Sequence, residues 1–314
     1  MKKIYSFNFE VPAITTHKKD KRMPIQHLYK SFSQLSKNLW NGHIIGTQKT
    51  MIDRKKSVFN ILGFTTRKSG NALWLIAGIH GEEPAGPNAI AENIILLNSL
   101  AKKIPIVLIP LCNPAGYARD WRYVNLRRAS RTIEAKSVGD ADHFLPSLQD
   151  REMPKKDNPT NVIAEKLCDF ILQFAKKRYP LLVIDFHEDE SRKKLHIYSQ
   201  GKLGSADPIA QEIVSLLKKK GFQFYEQRQT RFGEPIVDGI VGRVRDFSID
   251  ELLSAEKIII NNNIMRGPGA FSVITVETTT VGIPLWKRIR AHAEILKRAR
   301  EFFVLAKKIS KTKK

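Results

Sequence analysis

The sequence predicts an α/β fold: a single domain with a mixed, mainly parallel central sheet flanked by helices. Three observations lead there. Four apolar runs, at 72–79, 104–111, 181–186 and 271–276, are almost unbroken, which is the pattern of strands buried on both faces. Segments with helical spacing lie between them. A chain of 314 residues, 42% of them hydrophobic, can also bury one large core.

Residues 1–24 carry no clear periodicity and read as an extended arm. From 23 to 40, Ile25, Leu28, Tyr29, Phe32, Leu35 and Leu39 recur at helical spacing and predict an amphipathic helix. Gly42 ends this first unit, 1–42. The main domain is expected over 43–306. It begins with strands at 43–50 and 57–66, joined by a polar turn at Asp53-Arg54-Lys55. With 72–79 they make three strands at short spacing, the first connections read as antiparallel hairpins. The third run stops at His80-Gly81-Glu82-Glu83, and Pro84 stands where the first turn of a helix accepts it.

A helix is expected over 87–99, then a buried strand at 104–111 that ends in the turn signal Cys112-Asn113-Pro114-Ala115-Gly116. Residues 117–158 are polar, arginine-rich and aperiodic, and loops of that length inside compact domains are usually functional. Helix 162–177 breaks at Tyr179-Pro180, and strand 181–186 delivers His187-Glu188-Asp189-Glu190. A short strand at 194–199, a helix at 207–219, a strand near 222–225 and a mixed segment at 227–257, read as a lid, precede the last strand. That strand, 271–276, ends at Glu277. An amphipathic helix at 284–306 closes the domain, and a basic tail at 307–314 is expected to fray.

Fifty-three Lys and Arg against 31 Asp and Glu give a net charge of +22. The positive charge is spread out, with lysine-rich patches at 18–22, 217–220 and 307–314, none interleaved with aromatic residues. It reads as a solvated basic surface that favours acidic partners, with nucleic acid a minor alternative. No apolar run approaches the ~20 residues of a membrane-spanning helix, and no apolar segment follows the N-terminal lysines as in a signal peptide. Two cysteines, Cys112 and Cys168, make no disulfide framework, so a reducing, cytoplasmic setting is the simpler expectation. The sequence sets no oligomeric state.

The chemistry lies at the strand ends. His80 and Glu83 are three apart, close enough to share one cation, and zinc accepts N and O ligands at roughly 2.0–2.2 Å. Alone, H-x-x-E fits a solvated surface turn better than a metal site. His187 and Glu277, at the ends of two other buried runs, change that reading. Two imidazoles and a carboxylate leave the fourth position of zinc open, the mark of a catalytic site. Glu277 is then available to take a proton from water and hand it to a leaving amine.

With these residues the chain resembles the zinc metallocarboxypeptidases over about residues 43–305. This is the carboxypeptidase A superfamily, which also holds aspartoacylase and succinylglutamate desuccinylase. The family's H-x-x-E is His80-Gly81-Glu82-Glu83, its later ligand His187 in Ile184-Asp185-Phe186-His187, its base Glu277 in Thr275-Val276-Glu277, and its N-P-x-G turn Asn113-Pro114-Ala115-Gly116. The resemblance implies one zinc ion per chain on His80, Glu83 and His187, with Glu277 and Arg122 catalytic and Asn113 touching substrate. Where the peptidase branch has D-x-N-R-N, this chain has Asp140-Ala141-Asp142-His143-Phe144. Asp140 is expected to accept a hydrogen bond from His80. Asp142 and His143 stand where the substrate carboxylate is held, a weaker clamp than bidentate arginine. No tyrosine precedes Glu277 where many of these peptidases have one.

The implied activity is hydrolysis of the C-terminal peptide bond of peptides, favouring basic C-terminal residues, with Glu188, Asp189 and Glu190 as pocket lining. The missing Asn-Arg pair keeps N-acyl-amino-acid deacylation open as an alternative. A non-catalytic basic protein that binds nucleic acid or an anionic surface is the alternative outside the enzymes.

Overall fold

A computed structural model describes residues 18–52, 54–123, 162–190, 193–230, 232–244 and 248–312, with residues 7, 9, 11 and 12 and two strand pairs at 145–146 and 154–155. The first half contains α1 (Ile25–Phe32), β1 (Trp40–Ile52), β2 (Lys55–Thr66), β3 (Ala72–Ala77), α2 (Ala85–Glu92), α3 (Ile94–Ala101), β4 (Ile106–Ile109) and α4 (Pro114–Arg119). After β5 (Leu145–Pro146) and β6 (Pro154–Lys155) come α5 (Val162–Ala175), β7 (Pro180–Asp189), β8 (His196–Ser199) and α6 (Pro208–Lys219). The last part holds β9 (Gln227–Gln229), β10 (Pro235–Val237), β11 (Ile240–Val241), α7 (Ile249–Ser254), β12 (Lys257–Ile260), β13 (Asn263–Arg266), β14 (Ser272–Thr279) and α8 (Leu285–Thr312).

Among the described residues, ten strands form one sheet in the order β1–β2–β4–β3–β7–β14–β8–β11–β10–β9. The four central strands, β4, β3, β7 and β14, are parallel, and β1–β2 on one side and β8 on the other pair antiparallel to their inner neighbours. The hairpin expectation holds for β1 and β2 only. β4 lies between β2 and β3, because α2 and α3 carry the chain back to form a parallel crossover beside β3. β3 thus has β4 on one side and β7 on the other. That reversal of direction opens a crevice at the carboxyl ends of β3 and β7.

Both faces of the central strands are buried, as the unbroken apolar runs require. Leu73, Leu75, Leu182, Ile184 and Phe186 pack against α1, α2, α6 and α8. Trp74, Ile76 and Val183 pack on the opposite face against Leu167, Ile171, Ile249 and Leu253 of α5 and α7. The helix expected over 87–99 is two helices, interrupted at Asn93 (φ −114°, ψ 27°). There the Asn93 side chain donates to the Ala89 carbonyl at 2.7 Å and competes with the backbone ladder. α1 stops at Phe32, short of the expected 40. α8 instead runs on to Thr312, where fraying was expected after 306, because Phe302, Phe303 and Ala306 are buried and Ile309 packs on the same core. Near 222–225 only an isolated bridge, Leu195 to Phe224, forms.

Leu75 sits fully buried at the centre of β3. Leu75→Ala is expected to cost about 2–5 kcal/mol, read as a lowered denaturant midpoint at unchanged slope.

Candidate metal centre

β3 ends where Gly78 takes a positive φ of 67°, which turns the chain out of the sheet and into His80-Gly81-Glu82-Glu83. Gly81 has no room for a side chain: a Cβ there would lie 2.0 Å from the carbonyl carbon of Gly116. The metal-site turn is therefore pressed against the N-P-x-G turn. The Gly81 N–H donates to the Arg122 carbonyl at 3.2 Å, and the Glu83 N–H donates to the His80 carbonyl at 3.3 Å.

β7 brings the second imidazole. Its period of two puts Asp185, His187 and Asp189 on one face and Phe186 and Glu188 on the other. The Glu83 carboxylate lies between both rings, with Oε1 at 2.7 Å from His80 Nδ1 and Oε2 at 3.1 Å from His187 Nδ1. Arg122 Nη1 is 3.0 Å from Glu83 Oε1 and 3.1 Å from Glu82 Oε1, and the Glu188 N–H donates to Glu83 Oε2 at 3.1 Å. All three candidate ligands are buried, and a ligand atom of each lies within 4.8 Å of the others. Two imidazoles and a carboxylate in one buried cluster suit a borderline cation in type and number, so the residues present fit a metal.

Burial opposes the ionised Glu83, but the two histidines outweigh it and hold its carboxylate well below the usual range. Burial likewise disfavours charge on His187, and Asp185 and Glu83 more than reverse that, leaving the imidazole well above its ordinary value. Glu277 is the cross-strand partner of His187 on β14. Its carboxyl reaches the pocket but is otherwise walled in by protein, and desolvation pushes it up to about 8.

His80, Glu83, His187, Glu277 and Arg122, drawn from four segments, line one pocket. Asn113 has a different place. Its Oδ1 accepts from Gly116 N and Gln48 Nε2, both at 3.0 Å, and its Nδ2 donates to the Arg122 carbonyl at 3.2 Å. That buried amide shapes the turn that presents Arg122, and Asn113 is not among the residues that line the pocket. Glu188, Asp189 and Glu190 all border the pocket, and the Glu188 carboxylate is engaged by Arg288 and the Ala85 N–H. Asp140, Asp142 and His143 lie outside the described residues.

Sequence reading missed two carboxylates. Asp185 Oδ2 stands 3.2 Å from His187 Nε2, on the ring edge away from Glu83, and orients the imidazole. The alternation in Asp185-Phe186-His187 was its signal. Asp250, at the start of α7, is buried in the pocket wall and accepts from Thr275 Oγ1 at 3.1 Å. No local pattern marked it. The segment 227–257, read as a lid, supplies that wall through Thr230, Phe232, Ser248, Ile249 and Asp250.

In metal-free protein the raised Glu277 carboxyl binds its proton more tightly than in the unfolded chain, whose glutamates ionise near pH 4.3. Its contribution is full at acid pH and is lost as pH rises towards about 8. With chelator present, Glu277→Gln is expected to melt above the native protein at pH 9, the gap closing towards pH 5. A gap independent of pH would contradict the burial.

No protein-family model matches the sequence, and no curated protein matches it either. Solved structures do. A protein provisionally named a metallopeptidase, from Shewanella amazonensis SB2B, superposes with a TM-score of 0.65 at 21% identity, covering 89% of this chain and 92% of its own. Bovine thrombin-activatable fibrinolysis inhibitor, solved with tick carboxypeptidase inhibitor, gives 0.55 at 14% identity, covering 86% and 91%. A metallo-carboxypeptidase from Burkholderia cenocepacia gives 0.52 at 13%, covering 88% and 67%. The chain has the zinc carboxypeptidase-like fold.

Proposed function

We propose that the chain is a zinc-dependent metallocarboxypeptidase that removes the C-terminal residue of peptides, favouring basic ends. The observation that carries this is the meeting of His80, Glu83 and His187 around one point, with Glu277 beside His187 on the next strand. His80, Glu83 and His187 would hold one zinc ion per chain, which when bound supplies a Lewis acid and makes water a nucleophile near neutral pH.

Glu277 accepts the proton of the attacking water and returns it to the amide nitrogen as the C–N bond breaks, so the leaving residue departs as an amine. Its enclosed position suits both halves of that task, since burial makes the carboxylate a stronger base. Arg122, held by Glu82 and Glu83, lies on the same pocket wall and offers N–H groups to the oxygen of the scissile carbonyl as negative charge develops there. Asp185 keeps the His187 ring oriented.

The preference for a basic end rests on a contrast of sign. The chain carries +22, yet the pocket beyond the candidate ligands is lined by Asp189, Glu190 and Asp250. Asp250 is the deepest of these, 5% exposed, and faces the Thr275 row of the sheet. A Lys or Arg side chain of the departing residue would find its counter-charge there. No helix among the described residues is long and apolar enough to cross a membrane. The cytoplasmic setting we assign rests on the two cysteines forming no disulfide.

The test incubates zinc-loaded protein with mixed peptides and N-acyl amino acids and reads products by mass. Single residues lost from the carboxyl end support the reading, and released acyl groups favour a deacylase instead. Glu277→Gln is expected to lower kcat by at least about 100-fold while keeping its zinc, since general base catalysis contributes on the order of 10²–10⁴. A protein that turns over neither substrate class, and whose affinity for nucleic acid falls steeply with salt, would be a binder. For specificity, Asp250→Asn is expected to lower kcat/KM for peptides ending in Lys or Arg about tenfold or more relative to those ending in Leu. An unchanged ratio removes Asp250 from the preference.

A further inference from the structure

The arm at 1–24 reads as featureless in sequence, yet it places a fully buried arginine behind the metal-site turn. The Arg22 side chain has no exposed surface. Its Nη1 donates to two backbone carbonyls, Gly81 at 2.9 Å and Tyr117 at 2.8 Å. Its Nε and Nη2 reach the carboxylate of Asp20, and Nη2 also meets Asp120. The guanidinium lies over the Tyr117 ring, 5.0 Å from its centroid. Burying a cation is costly unless its donors are satisfied, and this one is surrounded by two carboxylates, two carbonyls and an aromatic face.

Gly81 is the residue between His80 and the two glutamates. Its N–H is taken by the Arg122 carbonyl and its carbonyl by Arg22, and its Cα abuts Gly116. Both backbone polar groups of Gly81, one in each of its two peptide links, are thus held. Without Arg22 the Gly81 carbonyl would be a buried acceptor lacking this donor, and the turn could rotate away from the position that brings His80 and Glu83 together. Lysine has a single point of charge and cannot span both carbonyls and both carboxylates, whereas the planar fork of arginine can.

We propose that Arg22 is a positioning residue for the metal centre. Through the Gly81 carbonyl it fixes the turn carrying His80 and Glu83, so that an arm outside the main domain sets how tightly the metal is held. The proposal rests on the reading that His80, Glu83 and His187 bind zinc.

The experiment loads full-length protein with zinc alone and follows its release to excess chromogenic chelator, beside thermal melts of the metal-free forms. Outer partners of metal ligands are typically worth 10–100-fold in affinity, so Arg22→Gln is expected to release zinc about tenfold faster than the native protein. Asp120→Asn, at a left-handed position that asparagine tolerates, keeps the fold and removes one of the two negative charges facing the guanidinium, with a smaller acceleration expected. Arg178→Lys is the control: it alters another buried arginine, bonded to the Thr66 carbonyl at 2.7 Å, and should lower the melting temperature without touching zinc release. Native release rates from folded Arg22→Gln overturn the proposal. So does acceleration by Arg178→Lys equal to that by Arg22→Gln, since both would then report stability alone. Should Arg22→Gln fail to fold, Asp120→Asn decides by the same criterion. If the native chain takes up no zinc, the proposed function falls and this inference with it; if it binds zinc and only the variants behave as native, the function stands and the inference falls.

Discussion

A carboxylate held ionised inside the protein is the constraint to which the rest of the structure answers. Glu83 is buried, and the cost of removing a charge from water must be met by partners on every side. Two imidazoles, one guanidinium and a backbone N–H supply them, from three separate parts of the chain. Because those partners come from the turn after β3, from Arg122 and from β7, the arrangement exists only when the parallel core is correctly assembled. The sheet thus acts as the frame that sets ligand spacing, and the crevice at its reversal point is where that frame leaves room for a substrate.

Charge continues outward from Glu83 in alternating layers. Glu82 and Glu83 hold Arg122, and Asp185 stands behind His187. Glu188, one residue past His187 and so on the opposite face, meets Arg288 from α8. Arg22 lies between Asp20 and Asp120 beneath the turn. Arg22, Arg122 and Arg288 each have a buried or half-buried anion within reach, so these charges near the site do not depend on bulk water. The low mobility this implies is what a site for ordered proton transfer needs.

Much of this was legible because the informative residues sit where local pattern is strongest. An unbroken apolar run ended by a polar residue marks the carboxyl-terminal part of a buried strand, although β7 and β14 run two residues beyond His187 and Glu277, so these two and His80 could be found without coordinates. Sheet order was not legible: nothing in 43–111 says that β4 inserts between β2 and β3, since that depends on which side the crossover returns. A turn asparagine that shapes a loop and one that binds a ligand look alike in sequence, and for Asn113 only the partners of its amide reveal its place in the turn. Asp250 and Arg22 were missed for a related reason. Each lies in a segment with weak periodicity, and each matters through contacts with residues far away in the chain, 25 positions for Asp250 to Thr275 and 59 for Arg22 to Gly81.

The same distinction between near and far governs the electrostatics. A formal charge of +22 suggests a molecule that repels cations, and at long range it does. At physiological ionic strength, however, fields from exposed charges decay over about 8 Å, whereas charges inside a low-dielectric pocket are screened far less. The lysines on the surface of α6 and at the end of α8 face solvent. Asp189, Glu190, Asp250 and Glu277 line the pocket. A group that enters the crevice therefore meets a field set by those carboxylates and by the centre that His80, Glu83 and His187 form. Net charge describes what approaches the molecule, and the strand ends decide what it keeps.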